Sequence, residues 1–209
     1  MKLCVWVFMC LGMVTLAGCV NLNKSYPEKR SFVLDVGAPP HETPSHSNKV
    51  LKINRLRVSP LFAGRAMVYR TADLQYESDF YDEWFVTPSV LVTQQLQNWL
   101  ARSGRFQLVL QGTNHIEPTH FLEGTVTEFY GDFRESPSAV LGIEFHLLDT
   151  MNEGQLSFRQ TYHQGIPLTD RSPDALARGL TEALRTVLMS LTKDLGEAEA
   201  APAGRSSAP

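Results

Sequence analysis

The most regular pattern in this chain is an apolar stripe near its C-terminus. Leu176, Leu180, Ala183, Leu184, Val187, Leu188, Leu191 and Leu195 recur at helical spacing and define one long buried face. Ser172 suits the cap and Pro173 the first helical position, while Gly196 is expected to end the helix. A second helix is predicted between Thr87, with Pro88 at its first position, and Gly104 just past its end. Its buried face is Val92, Leu96, Trp99 and Leu100; Gln94, Gln95, Gln97 and Asn98 fill the wet side.

Elsewhere the period falls to two. Ser138–Asp149 places Ala139, Leu141, Ile143, Phe145 and Leu147 on one face and Glu144 and His146 on the other. Phe106–Leu110, Phe121–Phe129 and Leu156–His163 read as further strands, the last grouping Leu156, Phe158 and Tyr162, with Met151–Gly154 as the turn before it. Upstream, Ser31–Val36 reads as a first strand and Val50–Ser59 as an imperfect, bulged one. Met67–Thr71 and Leu74–Glu77 read as a hairpin around Ala72-Asp73, and Gly37–Lys49 as a surface loop. The strands form an antiparallel meander with one buried face. The fold expected is α+β: an antiparallel sheet with two amphipathic helices packed on one face, a single domain over residues 31–195. The Ala, Glu, Gly, Ser and Pro of residues 196–209 predict a disordered tail.

The N-terminus changes the picture. Lys2 precedes an almost wholly apolar run from Leu3 to Leu16, as in a secretory signal. That run is too short for a comfortable transmembrane helix, which needs roughly 20 apolar residues. Leu16-Ala17-Gly18-Cys19 resembles the bacterial lipobox, where the signal is cut before the cysteine and its thiol carries lipid. Residues 1–18 are then a lipoprotein signal peptide, Cys19 the lipidation site, and residues 19–30 a lipidated tether. Two acyl chains hold a membrane stably where one holds it only marginally. Val20, rather than Asp, follows the cysteine; by resemblance to the enterobacterial sorting rule this directs the protein to the outer membrane, facing the periplasm.

Composition narrows the function. Without residues 1–18 the net charge moves from −3 to about −4, so the body has no electrostatic footprint for nucleic acid. Cys4 and Cys10 leave with the signal and Cys19 carries lipid, so no disulfide supports the domain. Nucleophile-elbow, dinucleotide and phosphate-loop motifs are missing. His41 with His46, and His115 with His120, lack metal-site spacing and cysteine partners. These features predict a protein that is not an enzyme, with no cofactor and no metal.

One segment is dense in chemistry. Glu77, Asp79, Asp82 and Glu83 interleave with Tyr76, Phe80, Tyr81, Trp84 and Phe85. Two readings stand: a solvated loop pinned to the domain by its aromatics, or a contact for a partner or a second copy, since buried aromatics with charged rims make interface hot spots. The candidate contact residues are Tyr69, Arg70, Tyr76, Phe80, Tyr81, Asp82 and Trp84. Trp84 is expected to be at least partly buried, framed by Tyr69 and Arg70.

An ordered set of short matches runs through the chain. Phe32-Val33-Leu34-Asp35 opens it, then Phe62-Ala63-Gly64-Arg65-Ala66-Met67-Val68-Tyr69-Arg70, Tyr81-Asp82-Glu83-Trp84, Pro88, and Leu96 through Gly104-Arg105-Phe106. Leu122-Glu123-Gly124, Glu128-Phe129-Tyr130-Gly131-Asp132-Phe133 and Ala139 to Leu148 continue it. Together they resemble the ABC-type transport auxiliary lipoprotein family, to which the paraquat-inducible PqiC proteins belong. The resemblance implies an accessory to an MCE-domain protein and its ABC transporter, moving lipids or other apolar molecules between inner and outer membranes. The alternative is a structural or regulatory envelope lipoprotein, an assembly factor or activator with no transport role.

Overall fold

The computed structural model describes residues 28–40, 47–110, 115–152 and 154–200. Cys19, the signal segment, most of the tether, His41 and His46 lie outside the described residues, as do residues 201–209.

Among the described residues, nine strands form one mixed sheet covered by two α-helices, an α+β single domain. In chain order the strands are β1 (Arg30–Phe32), β2 (Val50–Ile53), β3 (Arg57–Val58), β4 (Ala66–Ala72), β5 (Gln75–Trp84), β6 (Leu108–Leu110), β7 (His120–Asp132), β8 (Ser138–Asp149) and β9 (Gln155–Pro167). The helices are α1 (Pro88–Arg102) and α2 (Pro173–Ala200).

Strand β7 organises the sheet. One edge carries a long antiparallel ladder to β8, from His120 opposite Asp149 to Asp132 opposite Ser138, and β8 pairs β9 in the same sense. This is the expected meander. The other edge of β7 is divided among three short parallel partners: β2, β3 and β4. β2 also pairs β6, and β1 pairs β5, both in parallel. The sheet is therefore mixed rather than wholly antiparallel, because the strands before α1 return beside β7 in its own direction.

The inward face of β8 is as the alternation requires: Ala139, Leu141, Ile143, Phe145 and Leu147 are all buried. Its solvent face carries a polar ladder, with Glu144 accepting from Arg159 and lying 3.1 Å from His146. On β9, Leu156 is 54% exposed rather than inward. Leu147 pairs Phe158 while Leu148 pairs Leu156, so a bulge at Ser157 shifts Leu156 off the core face.

Helix α1 starts at Pro88 with Thr87 as the extended N-cap; the Thr87 carbonyl accepts from Val90 and Leu91, although its side chain makes no capping bond. Gly104 follows the helix with φ of 69°, the left-handed conformation that suits glycine. In α2 the Ser172 hydroxyl caps the N–H of Ala175 at 3.1 Å. The whole predicted stripe of α2, from Leu176 to Leu195, is buried.

Gly196 does not stop α2, which continues to Ala200. A Cβ there would meet the Arg105 guanidinium, the far end of a flexible side chain that lies against the helix at this point. The helices meet where Trp99 Nε1 donates to Thr192 Oγ1 at 2.9 Å, both residues buried. Residues 33–36 do not extend β1. They form a strap instead: the Val36 N–H donates to Gln95 of α1, and its carbonyl accepts from Arg185 of α2.

With no predicted disulfide, stability rests on this apolar layer. Leu184 is fully buried in it. Leu184→Ala is expected to cost about 2–5 kcal/mol. Urea unfolding of the chain from residue 20 onwards, followed by tryptophan fluorescence, measures the change in midpoint.

Candidate functional site

The aromatic-acidic segment is the strand β5, not a loop. It forms a hairpin with β4 around Asp73-Leu74, one residue beyond the expected turn. Only its last three residues, Asp82–Trp84, are paired by β1. The pairing with β4 is irregular: Ala66 faces Glu83 and Val68 faces Ser78, so two steps along β4 correspond to five along β5. The surplus residues are pushed out as a bulge at Asp79–Asp82.

Asp79 holds this bulge. Its Oδ1 accepts the backbone N–H groups of Tyr81 and Asp82, each at 2.9 Å. Its Oδ2 accepts the Tyr69 hydroxyl at 3.0 Å. Burial, then the hydrogen bond to Asp79, push the Tyr69 hydroxyl far above the usual phenol range, so it remains a neutral donor. The Tyr69 ring stacks on Phe133 at 4.9 Å. Asp82 is buried and accepts from Arg30 Nε at 2.7 Å. Arg30 also reaches Asp174 in the first turn of α2 at 3.2 Å, and the Asp82 hydrogen bond is the main reason its guanidinium is held above its usual range. β1 is thereby tied to both the hairpin and the helix.

The candidate contact residues separate into three environments. Trp84, only 1% exposed, and Asp82 are buried. Trp84 packs on Phe129 at 5.2 Å between ring centres, and Tyr69 and Arg70 do not frame it as expected. It is a core residue, buried in the main hydrophobic cluster with Phe129 against its ring.

Tyr69, Arg70 and Tyr76 are half-buried supports. The Arg70 guanidinium lies over Tyr76 at 5.7 Å and donates to the Asp73 carbonyl. Tyr76 meets Tyr130 edge-on at 5.5 Å, and Tyr130 stacks on Phe62 at 5.5 Å, closing a small aromatic cluster on the sheet. Burial raises the Tyr130 hydroxyl above its ordinary range. Phe80 and Tyr81 alone of the seven are exposed, at 73% and 38%. Their rings meet edge-to-face at 5.0 Å.

Lys29 and Arg30 belong to this site although the sequence places them in the tether. Lys29 Nζ lies 5.4 Å from the centre of the Phe80 ring. Two basic residues directly before the first strand were the only signal available, and the pairing with β5 that gives them partners is non-local. Three of its carboxylates are engaged, Asp79 by Tyr69, Asp82 by Arg30 and Glu83 by Arg65 at 2.7 Å. Among the described residues, no group of three or more His, Cys, Asp or Glu could hold a metal ion. An apolar hollow of about 350 Å³ opens between α1 and α2, lined by Pro39, Pro40, Trp99 and Met189. That volume lies near the lower end of small-molecule sites, about 300–1,000 Å³.

Comparison with known proteins places this geometry. A family model described as the ABC-type transport auxiliary lipoprotein component matches residues 32–191. No curated protein matches the chain. Among solved structures, a Xanthomonas campestris protein of family DUF330 is similar at 16% identity with a TM-score of 0.67, covering 83% of this chain and 96% of that one. An uncharacterized protein is similar at 19% identity and a TM-score of 0.63, covering 80% and 99%. At these identities the likeness is one of fold.

Trp84→Ala leaves a cavity beside Phe129 and is expected to lower stability by about 3–5 kcal/mol. Thermal melts by circular dichroism test this; an unchanged melting curve would mean that the indole is not packed as described.

Proposed function

This chain belongs to the ABC-type transport auxiliary lipoprotein family, and from that membership we propose an outer-membrane lipoprotein that serves an MCE-domain transport assembly from the periplasmic side. The observation that carries the reading is the order of parts: a lipobox-like Leu16-Ala17-Gly18-Cys19 ahead of a domain matched over residues 32–191. Among the described residues no helix is long and apolar enough to cross a membrane. Attachment then falls to Cys19.

The cargo is lipid or another apolar molecule. Such a molecule loses about 25 cal/mol per Å² of apolar surface when exposed to water, so it crosses the periplasm only through a shielded route fixed at both membranes. The hollow between α1 and α2 has the volume of a small ligand and not of a two-chain lipid. The candidate contact residues left for a protein partner are surface ones, and Trp84 and Asp82 are not among them.

Cys19→Ser is expected to abolish incorporation of an alkynyl fatty acid and to release the protein from the membrane fraction; label retained in that variant overturns the anchor. The partner is tested by photo-crosslinking in cells from benzoylphenylalanine placed at the exposed Leu74, Phe85 and Met189. Capture of an MCE-domain protein is expected. Capture of only an envelope-assembly enzyme from all three positions would favour the structural or regulatory role instead.

A further inference from the structure

The bulge on β5 is built to expose two aromatic rings. A regular strand would send Phe80 and Tyr81 to opposite faces of the sheet. Here the surplus residues and the Asp79 carboxylate, which binds two consecutive backbone N–H groups, bring the rings together instead. The carboxylates of the segment are turned to intramolecular partners: Asp79 to Tyr69, Asp82 to Arg30, Glu83 to Arg65 and Glu77 to Thr71. At the bulge itself, what faces solvent is a phenyl ring, a phenol and the Lys29 ammonium above the phenyl, with the exposed Glu77 lying ahead of the bulge.

That set of groups suits the boundary between water and lipid. A phenol offers an apolar body and a polar tip, and a lysine lays its stem along apolar surface while its charge stays in the wet layer. Aromatic rings concentrate at that depth in membrane proteins.

The chain itself decides the occupant. Lys29 lies ten positions after Cys19, a span of at most roughly 33–36 Å, and Lys29 is beside Phe80. A lipid on Cys19 therefore holds this corner of the domain near the leaflet at high effective concentration. We propose that Phe80 and Tyr81, with Lys29, form a second membrane contact that seats the domain on the leaflet holding the lipidated Cys19. The inference rests on the reading of Cys19 as the anchor. The contact is interfacial rather than electrostatic, in keeping with the weakly acidic body, and so persists at high salt.

Spin labelling of the full-length mature lipoprotein tests it. With Cys19 acylated and Cys4 and Cys10 removed, Phe80→Cys or Tyr81→Cys supplies a single thiol for a nitroxide. Met151→Cys is the control; it is 75% exposed and follows Asp149, at the opposite end of the β7–β8 ladder from Gly131, which pairs Tyr69. The protein is reconstituted in phosphatidylethanolamine–phosphatidylglycerol vesicles and floated. Labels at 80 and 81 are expected to collide preferentially with oxygen, and the label at 151 with a water-soluble nickel chelate. Flotation with nickel-dominated relaxation at 80 and 81 overturns the membrane contact and leaves the anchor standing. Dipolar broadening between labels at 80 overturns it in favour of a second copy covering the rings. Failure to float overturns the anchor and this proposal together.

Discussion

Every strand reaches the sheet through β7. Its one edge is spent on β8, and β9 follows from β8; its other edge is shared in succession by β2, β3 and β4, which bring β6, β5 and β1 with them. The backbone groups of a buried central strand must all be paired, since an unpaired one forfeits its hydration for nothing. Short strands of two to four residues, such as β2 and β3, would not persist alone. Docked side by side on one long strand, they complete its hydrogen bonding, and α1 and α2 seal the apolar face that results.

The same hub sets the site. β4 is fixed to β7 at Tyr69 and Arg70, which fixes the hairpin and hence the bulge that β5 carries beside it. Tyr69 acts twice: its backbone holds register with Gly131 and its hydroxyl holds Asp79. The exposed aromatics are thus an outward consequence of a rigid interior. Arg30 closes the arrangement by joining β1, the hairpin and α2 through Asp82 and Asp174. The entry of the chain into the domain is therefore tied down on three elements.

Packing takes up most of the apolar surface of the two helices. The stripe of α2 and the inward face of α1 are buried, while Met189 of α2 stands exposed beside the hollow of about 350 Å³ between the helices.

The two helices and the β7–β8–β9 meander were legible in the sequence because their signal is local. A stripe at i, i+3 and i+4, an alternation of period two, and a Ser-Pro start each depend only on neighbours in the chain. The lipobox-like segment and the family resemblance were legible for the same reason, being contiguous. What only the tertiary structure decided is non-local. Four of the strands that pair in parallel, β1, β2, β3 and β6, are two to four residues long, too short for a period to declare itself, and the direction of β2 and β3 is set by where the chain returns to β7. Gly196 reads as a stop but lies within α2 against the guanidinium of Arg105, which lies 91 positions away in the sequence. Trp84 and Phe80 sit four residues apart in one aromatic run, and one is buried while the other is bare. Surplus residues in β5 relative to β4 break the alternation between them, and a surplus exists only once the two strands are paired.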